Sequence, residues 1–266
     1  MRLINSIAKS FIDLFSNIIK RNKDSLKYLF TVSLKDETAN FFETQFYRGF
    51  AHIDKAVSII KQKQPSKHII IDVGGADGVT PEIFAKHFPG TQIWIFEPLK
   101  ENCKIIQSMC NKYPEFVLIP KAAGNEIGKT QINKATSVSA SSIFELNANK
   151  NSNLFAESLK TVGKEEIEIT RIDDVIPKDK PISIMKLDVQ GFELEVLKGA
   201  KNTLPNINLI VLEVNNHDGY VGSPKYYDVD TFLRSNNFEL YDIFTSLRDN
   251  GRLKEWDAIY TNKKFI

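Results

Sequence analysis

Cysteine is scarce: only Cys103 and Cys110 occur in 266 residues, and no histidine or second cysteine cluster stands beside them. That excludes a disulfide framework and a zinc site of the usual ligand spacing, and it fits a reduced, cytoplasmic compartment. Charge of one sign is missing too, because 35 basic residues face 33 acidic ones and leave a net charge of +2. A nucleic-acid partner is therefore not expected. No apolar run is long enough to cross a bilayer, and no internal repeat is visible. What is present is an ordinary globular composition, 42% hydrophobic and 26% charged, in a chain long enough for one large α/β domain with an appendage.

Residues 1–65 read as a helical segment and 66–266 as the main domain. Ile4, Ile7, Phe11, Leu14, Phe15, Ile18 and Ile19 recur at helical spacing among Arg2, Lys9, Lys20 and Arg21. Such a basic amphipathic helix over 3–20 packs on its own domain or on a second subunit, as in a homodimer, or else rests peripherally on an anionic membrane. The packed reading is preferred. A second helix spans about Glu37 to Lys63, with Tyr47, Arg48 and His52 as residues that a substrate could meet, although packing or solvated roles are commoner for such residues.

The chain turns on residues 69–78. Ile69-Ile70-Ile71-Asp72-Val73 is a buried strand, Gly74-Gly75-Ala76-Asp77-Gly78 a glycine-rich loop, and Thr80-Pro81-Glu82 a helix start with Thr80 as its cap. A junction of this kind offers backbone N–H groups to an anionic group and sets Asp72 at the carboxyl edge of the sheet. A dinucleotide fingerprint would need glycine at Ala76 and a small residue at Val79, so an NAD-dependent enzyme is disfavoured. The next strand, Gln92 to Phe96, ends in Glu97-Pro98, where a carboxylate can accept both hydroxyls of an adenosine ribose. After the strand Phe116 to Ile119, the small residues of Ala122-Ala123-Gly124-Asn125 leave room for an adenine ring, and Asn125 could meet its amine.

Residues 134–165, polar and serine-rich, read as a lid over the cleft. Further strands fall near Lys129 to Asn133 and Glu166 to Ile172. Ile182 to Asp188 is a central strand, followed by Gly191 and a helix with Glu193 and Glu195 in its first turn. Leu209 to Glu213 is another strand, with Asn215, Asn216, His217 and Asp218 beyond it. A helix from Tyr226 to Ser235 and strands near Phe238 to Phe244 and Trp256 to Thr261 complete the chain.

Asp72-Val73-Gly74 through Gly78, Glu97-Pro98, Ser141-Ser142, Thr170 with Asp173-Asp174, and above all Lys186-Leu187-Asp188-Val189-Gln190-Gly191-Phe192-Glu193 running into Leu197-Lys198-Gly199-Ala200 resemble the FkbM-type S-adenosylmethionine-dependent methyltransferases. The resemblance covers about residues 68–261. It departs from the commonest pattern at Ala76, where asparagine is frequent, and at Gln190, where glutamate is frequent.

The resemblance implies an α/β, Rossmann-like, seven-stranded class I methyltransferase sheet of order 3-2-1-4-5-7-6, its last strand antiparallel, with S-adenosylmethionine as cofactor. It also implies O-methylation of a sugar, glycan or secondary-metabolite hydroxyl. On that reading the cofactor is held by Asp72, Gly74, Gly75, Asp77, Gly78, Glu97, Pro98, Ala123, Asn125 and Asp188. The catalytic candidates are Asp188, which orients the acceptor hydroxyl, and His217 or Glu213 as base, with Lys186 a third if burial lowers its pKa. Asp188, Glu213 and Asn215 could offer oxygens to Mg²⁺, a variant ranked below metal-free transfer. A non-catalytic nucleoside- or partner-binding module on the same fold is the alternative of another class.

Overall fold

A computed structural model describes residues 50–63, 68–136, 140–147, 160–249 and 251–265. The expected helix over 3–20, the part of the Glu37–Lys63 helix before residue 50, and Ser137 and Ser139 of the expected lid lie outside the described residues. Among the described residues, no helix is long and apolar enough to cross a membrane.

The chain begins with α1 (Ala51–Lys63), then alternates β1 (Ile69–Val73), α2 (Val79–His87), β2 (Ile93–Phe96), α3 (Lys100–Met109) and β3 (Phe116–Ile119). Next come β4 (Ala122–Ala123), β5 (Gly128–Ala135), β6 (Thr161–Thr170), the short α4 (Ile172–Val175), β7 (Ile182–Leu187) and α5 (Glu193–Lys198). The last elements are β8 (Ile207–Asn215), α6 (Tyr226–Ser235), β9 (Phe238–Asp249) and β10 (Arg252–Asn262).

β1 and β7 are buried at every position. A continuous apolar run has no side to give to water, so it belongs in the middle of a parallel sheet covered on both faces. β1 indeed lies between β2 and β7, parallel to both, and β8 follows β7 in parallel. β10 then inserts antiparallel between β8 and β9. The seven-stranded order is β3-β2-β1-β7-β8-β10-β9. Counted over the main sheet alone this is 3-2-1-4-5-7-6 with an antiparallel last strand, the class I methyltransferase arrangement. Phe96, Met185, Leu187, Leu197 and Phe238 share one buried cluster along it.

β4, β5 and β6 form a separate three-stranded sheet, order β4-β6-β5. Both longer strands are visible in the sequence, yet their half-exposed patterns do not reveal that they leave the main sheet. The chain order reverses between β1 and β7, and a crevice opens at such a switch point beyond the carboxyl ends of the strands. α1 packs on β8, β9 and β10 beside it.

Candidate active site

The crevice holds a cleft lined from the β1–α2, β2–α3 and β7–α5 connections and from β4 and β5. One wall is the β1–α2 loop. Gly74 has φ +85, and a Cβ there would run into the carbonyl oxygen of Asp188, so only glycine lets the loop lie against the end of β7. Gly75 is held against Ile95 and Gly78, φ +80, against Met109. These two shape the turn, while Gly74 and Ala76 line the cleft.

Glu97 is 4% exposed and fastens that loop. Its Oε2 accepts the Ala76 N–H at 2.8 Å and its Oε1 the Leu99 N–H at 2.8 Å. Burial pushes its carboxyl up, against hydrogen bonds from Leu99, Ala76 and Asn102 that draw it down. A carboxylate has about four acceptor directions, so these three bonds leave one of them open. Ala76 has φ +43 in the left-handed region, where asparagine is better tolerated than alanine, and the Glu97 bond helps hold it there. Pro98, Asn102, Ala122, Ala123, Ile132 and Phe192 continue the lining.

Behind that loop, beside Gly75, Asp72 is fully buried, with both carboxylate oxygens lacking a hydrogen-bond partner. Burial pushes it up to about 6; the Lys186 ammonium, 3.6 Å from Oδ1, pulls it back, and Asp188 adds to the rise. Lys186, opposite Asp72 in the strand register, also reaches Asp188 Oδ2 at 3.3 Å. Burial lowers its pKa, but Asp188 and Asp72 outweigh that and the net shift is upward. Lys186 therefore stays charged and is no base, contrary to the third option above. Asp188, whose side chain is 40% exposed, lines the cleft. Its carboxyl is held below the ordinary value, because Lys186 and a hydrogen bond from Gln190 Nε2 at 3.0 Å outweigh burial.

Beyond Asp188 lies a group of carboxyls on β8 and β10. Glu213 and Asp257 are register partners, as are Asn215 and Glu255. Burial, then Glu255 and Asp188, push Glu213 well up, and one of its oxygens is buried without a hydrogen-bond partner. Burial and Asp188 push Asp257 up to about 7. His52 of α1, 8% exposed, sets Nδ1 3.2 Å from Asp257 Oδ2, and burial followed by the Lys186 charge lowers its pKa to about 4.

The Methyltransferase FkbM domain profile matches residues 72–240. The chain belongs to the FkbM methyltransferase family. It is accordingly a methyltransferase, with S-adenosylmethionine as cofactor, as the resemblance implied. A 2-O-methyltransferase, NoeI of Sinorhizobium fredii, is 23% identical over 172 residues, which are 62% of this chain and 70% of that protein. Among solved structures, the magnesium protoporphyrin IX methyltransferase of Synechocystis PCC 6803 is similar with a TM-score of 0.44 and 11% identity, over 81% of this chain and 80% of that one. The 1,6-didemethyltoxoflavin-N1-methyltransferase of Burkholderia thailandensis gives 0.44 and 8% over 85% and 84%.

Several FkbM motif residues turn out to hold the cleft together rather than face it. Ser142 Oγ donates to the Gln190 carbonyl at 2.7 Å, and Asn133 Nδ2 donates to the carbonyls of Ser142 and Phe144. The ends of the expected 134–165 lid are strand, Lys134 and Ala135 in β5 pairing with Gly163 and Thr161 in β6, and its described stretch 140–147 is fastened to the β7–α5 loop, with Asn147 N–H and Val221 N–H joining it to the loop after β8. Glu193 Oε1 accepts the N–H groups of Val189 and Gly191, which closes the β7–α5 loop. Gln190, at φ +54, uses its amide to link Asp188 to the Tyr220 hydroxyl, a neutral bridging role. Asp173 accepts from the Thr203 N–H and hydroxyl, and Gly199 lets the chain lie on the Gly124 carbonyl.

Five sequence expectations need correction. α2 starts at Val79 after Gly78, not at a Thr80 cap. Asp77 is exposed and its Oδ1 accepts the Val79 N–H, so it caps that helix and does not line the cleft. Asn125 is exposed and lies beside Gly199, outside the cleft; buried Asn102, four residues into the α3 region and without a motif to flag it, lines the cleft instead. Glu213, expected as a second candidate base, is not among the cleft lining, and burial with the Glu255 and Asp188 charges pushes its carboxyl up. His217 is turned to Glu255, Nε2 to Oε2 3.9 Å, and is not among the cleft lining. Among the described residues, no three His, Cys, Asp or Glu side chains are grouped to hold a metal ion.

Proposed function

We propose that the chain transfers a methyl group from S-adenosylmethionine to a hydroxyl of a sugar-type acceptor, a small saccharide or a glycan. The observation that carries this reading is the asymmetry of one cleft: glycine backbone and the N–H-bonded Glu97 at one end, the half-exposed carboxylate of Asp188 at the other. The similarity to a 2-O-methyltransferase supports the choice of oxygen as the nucleophile. The methyltransferase domain of residues 66–266 supplies the sheet and cofactor cleft, and α1 of the preceding segment supplies the far side of the acceptor end.

The residues fit the cofactor. Asp72 has two buried oxygens without hydrogen-bond partners beside a loop that only glycine can form at Gly74. On this reading Asp72 and the Gly74 backbone receive the amino-acid end, Glu97 accepts a ribose hydroxyl with its remaining acceptor direction, and Pro98, Ala122, Ala123 and Phe192 cover the adenine. When bound, S-adenosylmethionine supplies a methyl carbon made electrophilic by its sulfonium.

Asp188, ionised and cleft-facing, then takes a hydrogen bond from the acceptor hydroxyl and orients its lone pair. Positioning of this sort is the largest part of catalysis in a displacement that needs no covalent help. The demand on a base is modest, since the oxygen becomes strongly acidic as the new C–O bond forms. The ionised Asp188 suits a hydroxyl donor and repels phosphate or carboxylate groups.

Calorimetry and methyl transfer together test this. S-adenosylhomocysteine should bind and NAD should not, and tritiated S-adenosylmethionine should label neutral glycosides in preference to sugar phosphates. Labelling of sugar phosphates alone, or no S-adenosylhomocysteine heat, would overturn it.

A further inference from the structure

Asp188 receives the acceptor hydroxyl in the reading above, so the direction of its carboxylate has to be set before the acceptor arrives. Both of its oxygens are held. Lys186 Nζ stands 3.3 Å from Oδ2, and Gln190 Nε2 donates to Oδ1 at 3.0 Å. A carboxylate has about four acceptor directions, so about two stay open on a half-exposed side chain that lines the cleft.

Gln190 is in turn held from two other segments. Its carbonyl accepts the Ser142 hydroxyl at 2.7 Å, and its Oε1 accepts the Tyr220 hydroxyl at 2.7 Å. Tyr220 is buried, and burial pushes its phenol well above the ordinary value, so the hydroxyl keeps its proton and donates. The amide can then lie only one way round. Turned over, it would set Oε1 against the carboxylate of Asp188, which when ionised only accepts. A chain of hydrogen bonds from Tyr220 through Gln190 to Asp188 thus joins the loop after β8 to the cleft. Ser142 ties in the 140–147 stretch, whose Ser141 and Ile143 line that cleft.

We propose that Gln190 is a positioning residue for methyl transfer: its amide, locked by Tyr220, aims the Asp188 carboxylate at the acceptor hydroxyl. This rests on the function proposed above. Gln190 is not among the cleft lining, so it acts through Asp188. Its length and its neutrality both matter. Asparagine, one methylene shorter, cannot span from Tyr220 to Asp188. Glutamate would span the gap but set a second carboxylate against Asp188 Oδ1, and two carboxylates at hydrogen-bond distance share a proton. Asp188 is also faced by Lys186 on its own strand, Asp72 of β1, His52 of α1, Glu213 of β8, Asp257 of β10 and Glu193 of α5. Lys186 holds it ionised among those acids, and Gln190 adds a donor without adding charge.

The test uses the full chain with tritiated S-adenosylmethionine and the methyl glycosides of glucose, mannose and galactose, and reads kcat as a function of pH. Gln190 sits at φ +54, a backbone that asparagine tolerates. Gln190→Asn should lower kcat by about 10-fold or more and leave S-adenosylhomocysteine affinity within about twofold of wild type. Tyr220→Phe, which removes the lock and keeps the amide, should lower kcat by about 3-fold or more. Gln190→Glu should move the acid limb of the kcat profile upward by about one pH unit or more, because the shared proton must leave before Asp188 ionises. Turnover should then recover as pH rises beyond that limb, which a residue that merely packs would not cause.

Gln190→Asn or Tyr220→Phe at the wild-type kcat, or Gln190→Glu with an unmoved acid limb, overturns the assignment. Should Gln190→Asn not bind S-adenosylhomocysteine, Gln190→Glu, which keeps the side-chain length, decides by its acid limb. Each of these results leaves methyl transfer by the wild type intact. Absence of glycoside labelling by the wild type, with S-adenosylhomocysteine bound, overturns the acceptor class and this assignment with it.

Discussion

The two ends of the cleft are made of different materials. At the Gly74 end the chain uses main chain and glycine, with buried Asp72 behind them, and the cleft-lining carboxylate, Glu97, has both oxygens occupied by N–H groups. The Asp188 end is backed by side chains from α1, β8 and β10 that do not themselves line the cleft, several with raised pKa values and some with buried atoms lacking a hydrogen-bond partner. The first arrangement is rigid before anything binds, and rigidity suits a cofactor that is always the same. The second keeps polar groups in reserve, which costs stability until an acceptor engages them.

This contrast predicts the largest effect at Gly74. Gly74→Ala forces a left-handed alanine, about 1–2 kcal/mol, on top of a clash with backbone at Asp188 that no rotamer can relieve. The variant should lose S-adenosylhomocysteine binding in calorimetry and melt several degrees lower. Wild-type affinity would mean that the loop does not touch the cofactor.

Glu97→Gln comes next. The amide turns one oxygen into a donor facing the N–H of Ala76 or Leu99, so a buried donor is left unsatisfied at a cost of roughly 1–3 kcal/mol. S-adenosylhomocysteine should bind about 10- to 100-fold more weakly, because loop and ribose contact are lost together. Circular dichroism should stay unchanged, which separates the site from the sheet.

The buried carboxyls around the site should show themselves in the pH dependence of stability. Asp257 and Glu193 are raised to about 7 and Asp72 to about 6, above ordinary values of 3.8, 4.5 and 3.8. The folded chain holds more protons than the unfolded one between those values. This contribution is fully present below about pH 4 and is lost as pH rises through 6 to 7. Melting temperature should therefore decline from pH 5 to pH 8 by this contribution. Glu213→Gln removes one such group, so it should raise the melting temperature at pH 8 by about 2–4 °C and make the decline shallower. An unchanged slope would place Glu213 in water.

The smallest contrast is between two asparagines. Asn102→Ala should weaken S-adenosylhomocysteine binding severalfold, since the side chain is 3% exposed and bonds Glu97. Asn125→Ala should leave affinity at the wild-type value, being exposed on the outer side of the Gly124 turn.

Local pattern was enough for the cofactor end. Strand β1, the glycine loop and Glu97 lie within thirty residues of one another, so spacing alone sets them side by side, and alternation of apolar runs with helical periods dictates the parallel sheet. The same reading put Asn125 in the cleft and passed over Asn102, because a small-residue turn and a helical asparagine do not declare which way they face. The acceptor end was legible only as separate residues. His52, Asp188, Glu213 and Asp257 are spread over about two hundred positions and meet only when β10 inserts antiparallel beside β8 and α1 folds across both. Their protonation states were decided there as well, since burial and mutual charge are properties of the assembled sheet edge and of no one segment.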